Sequence, residues 1–189
     1  MVTRMKWMIL GTGLGLLAAC GSTQSVDNIP RTSNAADLAT NLAQENISDP
    51  TTLPRSGLAT YSGFMTLALP LDGPARDVIG DLDMRVDFGA VRNQVSGSAS
   101  NFAGLTGGLA IRGGDIDRGT DPDTDFTFGG SLTGTLAQNG DNYGIDGAIV
   151  GEFRGRNQDG LTGLAYGDIN GPSGQDLFQG SMAAIRDTD

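Results

Sequence analysis

Apolar and polar positions alternate with a period of two through most of the chain, beginning near Ala59. The clearest run is 81–88, where Leu82, Met84, Val86 and Phe88 interleave with Asp81, Asp83, Arg85 and Asp87. Such a period sends alternate side chains to opposite faces, so the run predicts a strand with one apolar and one charged face. Further runs at 61–69, 93–102, 105–112, 126–137, 142–154, 161–169 and 176–186 follow the rule less cleanly. Turn-forming stretches separate them at 71–80, 89–90, 113–125, 138–141, 157–160 and 170–175, and the short ones at 138–141 and 157–160 hold the Asn-Gly or Asp-Gly pair that favours tight hairpins. Eight evenly spaced strands predict an all-β protein, an antiparallel barrel or sandwich. Glycine is dense inside the runs, at Gly97, Gly107, Gly108, Gly129, Gly130, Gly134, Gly144, Gly147, Gly151, Gly163, Gly167 and Gly180. Glycine weakens a strand, and its repetition fits sharp curvature and close wall approach in a small closed barrel. The alternative is a loosely ordered glycine-rich sheet. The expectation is therefore an eight-stranded antiparallel Gly-rich β-barrel over 59–189.

Upstream the period changes. In 34–46, Asn34 stands where it can cap a helix, Asp37 falls in the first turn, and Leu38 and Leu42 share a face; Pro50 and Pro54 follow. One helix with so narrow an apolar stripe has to dock on the barrel or fray. The polar stretch 21–34, with Ser22, Thr23, Gln24 and Ser25, reads as a flexible tether. Residues 20–58 thus form a tether with a short helix.

The first 19 residues have a different character. Arg4 and Lys6 precede an apolar stretch at 7–17, followed by Ala18-Ala19-Cys20. Basic, apolar and small-residue zones in that order describe a secretory signal, and eleven residues are too few to span a bilayer, which needs about 20. Leu17-Ala18-Ala19-Cys20 resembles the lipobox of bacterial lipoproteins. That resemblance implies that Cys20 is lipidated and becomes the first mature residue, the membrane being reached through the lipid anchor only.

Composition then narrows the chemistry. The chain has no His and one Cys, which excludes His-dependent nucleophile systems, His/Cys zinc sites and His-ligated haem within one copy. Without Arg4 and Lys6 the basic count falls from 12 to 10, all Arg, against 22 acids, a net charge of −12. Such a surface repels nucleic acid and anionic lipid. Glu45 and Glu152 are the only glutamates, and no pair of acids forms a recognisable catalytic signature, so no enzyme is expected and no cofactor is assigned. Aromatic residues make up 6 % of the chain, too few for the two girdles of a membrane-spanning barrel, and residues 186–189 are polar and charged rather than aromatic.

One cluster stands out: Asp115, Asp117, Asp121, Asp123 and Asp125. Alternating aspartates on a bendable loop can offer calcium several oxygens, although no Gly or Glu follows at EF-hand spacing and Pro122 intrudes. A solvated hairpin loop, with Arg118 offsetting some of the charge, is the plainer reading. Haem would need Tyr61, Tyr143, Tyr166 or a Met, whereas barrel tyrosines commonly pack with a bonded hydroxyl.

Several segments together carry a family resemblance. They are Met84-Arg85-Val86-Asp87-Phe88 before Val95-Ser96-Gly97, Val150-Gly151-Glu152-Phe153-Arg154-Gly155, Gly160-Leu161-Thr162-Gly163-Leu164-Ala165-Tyr166-Gly167, and Phe178-Gln179-Gly180-Ser181-Met182-Ala183-Ala184. Over about 59–186 the chain resembles the C-terminal β-barrel domain of transferrin-binding protein B, shared with factor H-binding protein and related surface lipoproteins. The resemblance implies an eight-stranded barrel held by lipid at the outer membrane, facing the periplasm or displayed outward. It also implies a binding module whose rim and loops, here 71–80 and 113–125, contact a protein or an iron- or haem-related ligand. The chain departs from larger members in having one barrel, no handle domain and no lysine beyond Lys6, so no family binding residue is transferred. A structural envelope lipoprotein without a soluble ligand and a lipocalin-like small-molecule carrier are the alternatives; an exposed apolar patch, a uniformly polar exterior or an open cavity would distinguish the three.

Overall fold

The computed structural model describes residues 29–121 and 123–188. Cys20, the signal and residues 20–28 of the tether lie outside them, as does Pro122. The described strands are β1 (Leu58–Leu69), β2 (Arg76–Asp87), β3 (Val95–Ser100), β4 (Thr106–Ile116), β5 (Phe128–Gln138), β6 (Asp141–Arg154), β7 (Gly160–Gly171) and β8 (Gly174–Arg186). Each pairs antiparallel with the next, and β8 returns to β1, closing an up-and-down barrel. All eight runs of alternation are strands.

Stagger decides how wide the barrel is. The register carries Gly63 to Leu82, Ala99, Leu109, Gly134, Ile145, Ile169 and Asp176 in turn. The β8–β1 pairing, in which Ser181 opposes Thr66, then sets position 176 opposite position 71, eight residues beyond the start. Eight strands with a stagger of eight give a narrow interior that side chains fill. They do fill it: Tyr61, Met65, Leu67, Leu82, Ile111, Leu132, Ile149 and Leu161 belong to one contiguous buried cluster running the length of the barrel.

The glycines make this tightness possible. A Cβ on Gly63 would sit 2.1 Å from the Ala183 carbonyl oxygen, and one on Gly180 would sit 2.2 Å from that of Thr66. Comparable inward positions recur at Gly97, Gly134, Gly147 and Gly163, where the neighbouring strand's carbonyl lies 2.3 Å from the absent Cβ. The coiled strands approach too closely there for any side chain, which accounts for the repeated glycines and rules out the loosely ordered sheet. The Asn139-Gly140 hairpin has φ of 54° and 96°, the conformation a two-residue turn of this type demands.

Three expectations need correction. The stretch 71–80 is a turn only to 75; β2 begins at Arg76. Its first half hides because Val78 faces in while Ile79, outward in register, is also buried (5 % exposed) beside the 101–105 segment, whose Ala103 N–H donates to the Ile79 carbonyl. Two adjacent apolar residues erase the alternation. The 113–125 stretch likewise begins as strand: β4 runs to Ile116 across a register shift between Arg112 and Asp115. The helix α1 (Ile29–Gln44) starts before Asn34, so Asn34 is internal and residues 29–33, expected in the tether, are helical. Pro30 near its start is compatible with helix, since the first-turn N–H groups have no partner to lose.

Helix α1 lies against the outer wall across β2, β1, β8 and β7. Leu42 and Ala35 are buried, and Leu42 lies against Gly160, where a Cβ would meet its Cδ2 at 2.3 Å. Near the start of α1, Arg31 pairs with Asp81 at 3.0 Å and donates to the Asn101 carbonyl. Near its end, Arg154 donates to the Glu45 carbonyl and to Thr162 Oγ1 and pairs with Glu152 at 2.8 Å. No described helix is long and apolar enough to cross a membrane.

Candidate functional site

The two barrel mouths, the acidic loop and the outer wall are the places where a ligand could be met. The lower mouth receives the loops 88–94, 117–127 and 155–159. Phe153 lies at its centre with ring centroids 5.1 Å from Phe128, 5.7 Å from Phe88 and 6.3 Å from Tyr61. Leu53, buried in the core cluster, enters from the segment following α1. Arg118 Nη2 donates to the Pro54 and Phe88 carbonyls and so ties the acidic loop to this segment. Its guanidinium is held below the ordinary arginine range by burial and then by Arg55. These contacts close the mouth with apolar side chains.

The upper mouth carries Leu71, Phe102, Leu105 and Tyr143, all buried. The Tyr143 hydroxyl donates to the Asp72 carboxylate, which pushes the phenol up to about 12, with burial adding to the effect. Tyr61 donates to the Gln158 carbonyl at 3.0 Å near the other mouth, and burial pushes it to about 12 as well. Tyr166 points outward and is half exposed. The three tyrosines considered for haem therefore occupy opposite mouths and the outer wall and do not converge on one ligand.

The five aspartates do not assemble a calcium site. Asp115 Oδ1 accepts from the Asn93 N–H, Asp117 Oδ1 from Gly119, Asp121 Oδ1 from Asp123 and Asp125 Oδ1 from Phe126. Asp117, Asp121 and Asp125 turn their carboxylates to backbone donors one or two residues on, the short-range bonding for which aspartate is favoured in turns, whereas Asp115 reaches across to the 88–94 connection. Asp115 belongs to β4 and the others to the connection beyond it. Among the described residues no group of three His, Cys, Asp or Glu is placed to hold a metal ion. The calcium alternative needed the carboxylates to converge, which the β4 extension and the separate turns do not provide.

The outer wall is not uniform. Acids and arginine stand on its β2 face at Asp83, Arg85 and Asp87, whereas Ser98, Ser131, Thr133 and Thr135 give β3 and β5 a small polar surface. The inside is apolar and the outside largely polar, the reverse of a membrane-spanning barrel. On β7 and β8 the wall differs again: Leu164 (47 % exposed), Tyr166 (49 %) and Leu177 (71 %) face outward. Beside them runs a groove of about 500 Å³ lined by Thr66, Ala68, Asp77, Gln179 and Ser181. Sequence reasoning looked for contact residues in the rim loops and missed this patch. The alternation assigned Leu164 and Tyr166 to the outer face, which was the available signal.

No protein-family model matches the chain, and no curated protein matches it.

Proposed function

We propose that this chain is an outer-membrane lipoprotein, tethered through Cys20, whose barrel is a non-catalytic binding module for a protein. The observation that carries the reading is the exposed apolar patch of Leu164, Tyr166 and Leu177 on β7 and β8; the other large exposed apolar residues of the wall, Leu58 and Ile185, stand towards the lower mouth, at the start of β1 and the end of β8. Contiguous exposed apolar surface marks an interaction site more often than a structural face. The filled interior speaks against carriage of a small molecule inside the barrel, and the separated tyrosines speak against haem. The rim loops remain part of the proposed contact surface, with Val91 fully exposed in the 88–94 connection.

Anchoring is tested by fractionating cells that express the full chain and its Cys20→Ala variant. Wild type is expected in the membrane fraction and the variant in the soluble fraction; identical fractionation sinks the lipoprotein half of the proposal. Protease added to intact cells then reports whether the barrel faces outward. Binding is tested by chemical crosslinking in those cells: a reproducible heteromeric adduct of fixed mass supports it, and monomer alone overturns it.

A further inference from the structure

We infer that the outward face of β7 and β8, with the adjoining part of β1, is the docking surface for a basic segment of a partner protein that carries apolar anchors. The inference rests on the binding-module reading and assigns both the seat and the chemistry of the partner. Leu164 and Tyr166 are successive outward residues of β7, and Leu177 is the outward residue of β8 beyond Gln179, which pairs with Tyr166. The groove alongside continues, through Thr66 and Ser181, into a recess of about 210 Å³ under α1, lined also by Ala35, Ala39 and Phe64. This wall therefore already seats one helix with a narrow apolar face. Its upper half carries the larger apolar groups, and no described segment covers them.

Charge selects among occupants. Asp77 lines the groove, Asp168 is paired in register with both Leu177 and Asp146, and Asp176 immediately precedes Leu177. The arginines near this half are engaged: Arg31 with Asp81 and Arg76 with the Gln138 side chain. A second copy of a chain with 22 acids and 12 basic residues would bring acid toward acid, and an anionic lipid surface meets the same repulsion. An apolar centre within an acidic rim fits a segment in which Lys or Arg flanks aromatic or aliphatic anchors.

A photo-crosslinking amino acid placed at 166 or 177 in the full chain, in its own cells, tests the surface. Position 133 on β5 and position 91 in the lower loop serve as comparison sites. Crosslinks at 166 and 177 are expected to one protein, mapped to a Lys/Arg-bearing segment, in about fivefold higher yield than at 133 or 91. In a chain probed at 177, the Asp146→Asn/Asp168→Asn pair is expected to lower that yield severalfold without lowering the melting temperature, since the two carboxylates face each other in register. Adducts with a second copy, with lipid or with an acidic segment overturn the inference, as does an equal yield at 133. Crosslinking confined to 91 removes this surface and leaves the binding-module reading standing; no adduct at any position removes both.

Discussion

Gly180 and Tyr143 show how single residues set the limits of this fold. Gly180 stands where β8 passes close to the Thr66 carbonyl, so Gly180→Ala forces backbone apart rather than displacing a mobile side-chain tip. Overpacking of that kind costs about 1–3 kcal/mol. At roughly 2–4 °C per kcal/mol for a chain of this size, Gly180→Ala is expected to lower the melting temperature clearly. Gly73→Ala, with nothing within 4 Å of the added methyl, should leave it unchanged in the same calorimetric scan. The tyrosines predict alkaline behaviour. Tyr61 and Tyr143 are raised from 10.0 to about 12, so in the unfolded chain they lose their protons first. Their contribution is complete below pH 10 and is lost as pH rises from there through 12. Unfolding followed by denaturant at stepped pH should show that loss, and Tyr61→Phe with Tyr143→Phe should flatten it. The glycine density and the inward set were legible in the sequence, because both follow from alternation and from what a strand tolerates. The aspartates were legible only as a loop, because their spacing records neither the bulge in β4 nor the backbone donors that engage Asp115, Asp117, Asp121 and Asp125.

At the scale of elements, α1 raises the question of what holds a short helix to a barrel wall. The Arg31–Asp81 pair is one-third exposed on both sides, and such pairs contribute at most about 1 kcal/mol. Burial of Leu42 contributes about 1.5–3 kcal/mol, so the apolar seat outweighs the ion pair. Leu42→Ser is therefore expected to raise hydrogen exchange over 29–44 strongly, Arg31→Ala only slightly, while the strands stay protected in both. Equal effects of the two variants would show that the ion pair dominates. The same wall explains a limit of reading pattern alone. Ile79 and Ala183 are outward and covered; Leu164 and Tyr166 are outward and bare. Alternation assigns each to the outside face, but cover depends on where a loop or a helix remote in sequence comes to rest: the 101–105 segment over Ile79, α1 over Ala183. The start of α1 was hidden for a related reason: residues 29–33 belong to a stretch that reads as a polar tether, and they become helix where the following turns dock on the wall.

For the whole molecule, closure and charge act on different properties. Closure leaves no free sheet edge, so stability resides in one packed interior and a continuous hydrogen-bonded wall. The charge opposes compactness, since 22 acids face 12 basic residues. Added salt shortens the reach of that repulsion, from about 30 Å at 0.01 M to about 8 Å at 0.15 M. The melting temperature should therefore rise across that interval. Attachment of a basic segment to the acidic rim around Tyr166 is governed by attraction between unlike charges, which the same salt weakens. Crosslinking yield at 177 should therefore fall where the melting temperature climbs. A parallel rise in both would mean that the contact at β7 and β8 is made by apolar burial alone, with Asp146 and Asp168 as bystanders. A fall in both would mean that specific ion pairs, rather than self-repulsion, dominate the folded state. The opposed response is the outcome expected of an acidic barrel that folds in spite of its charge and binds by means of it.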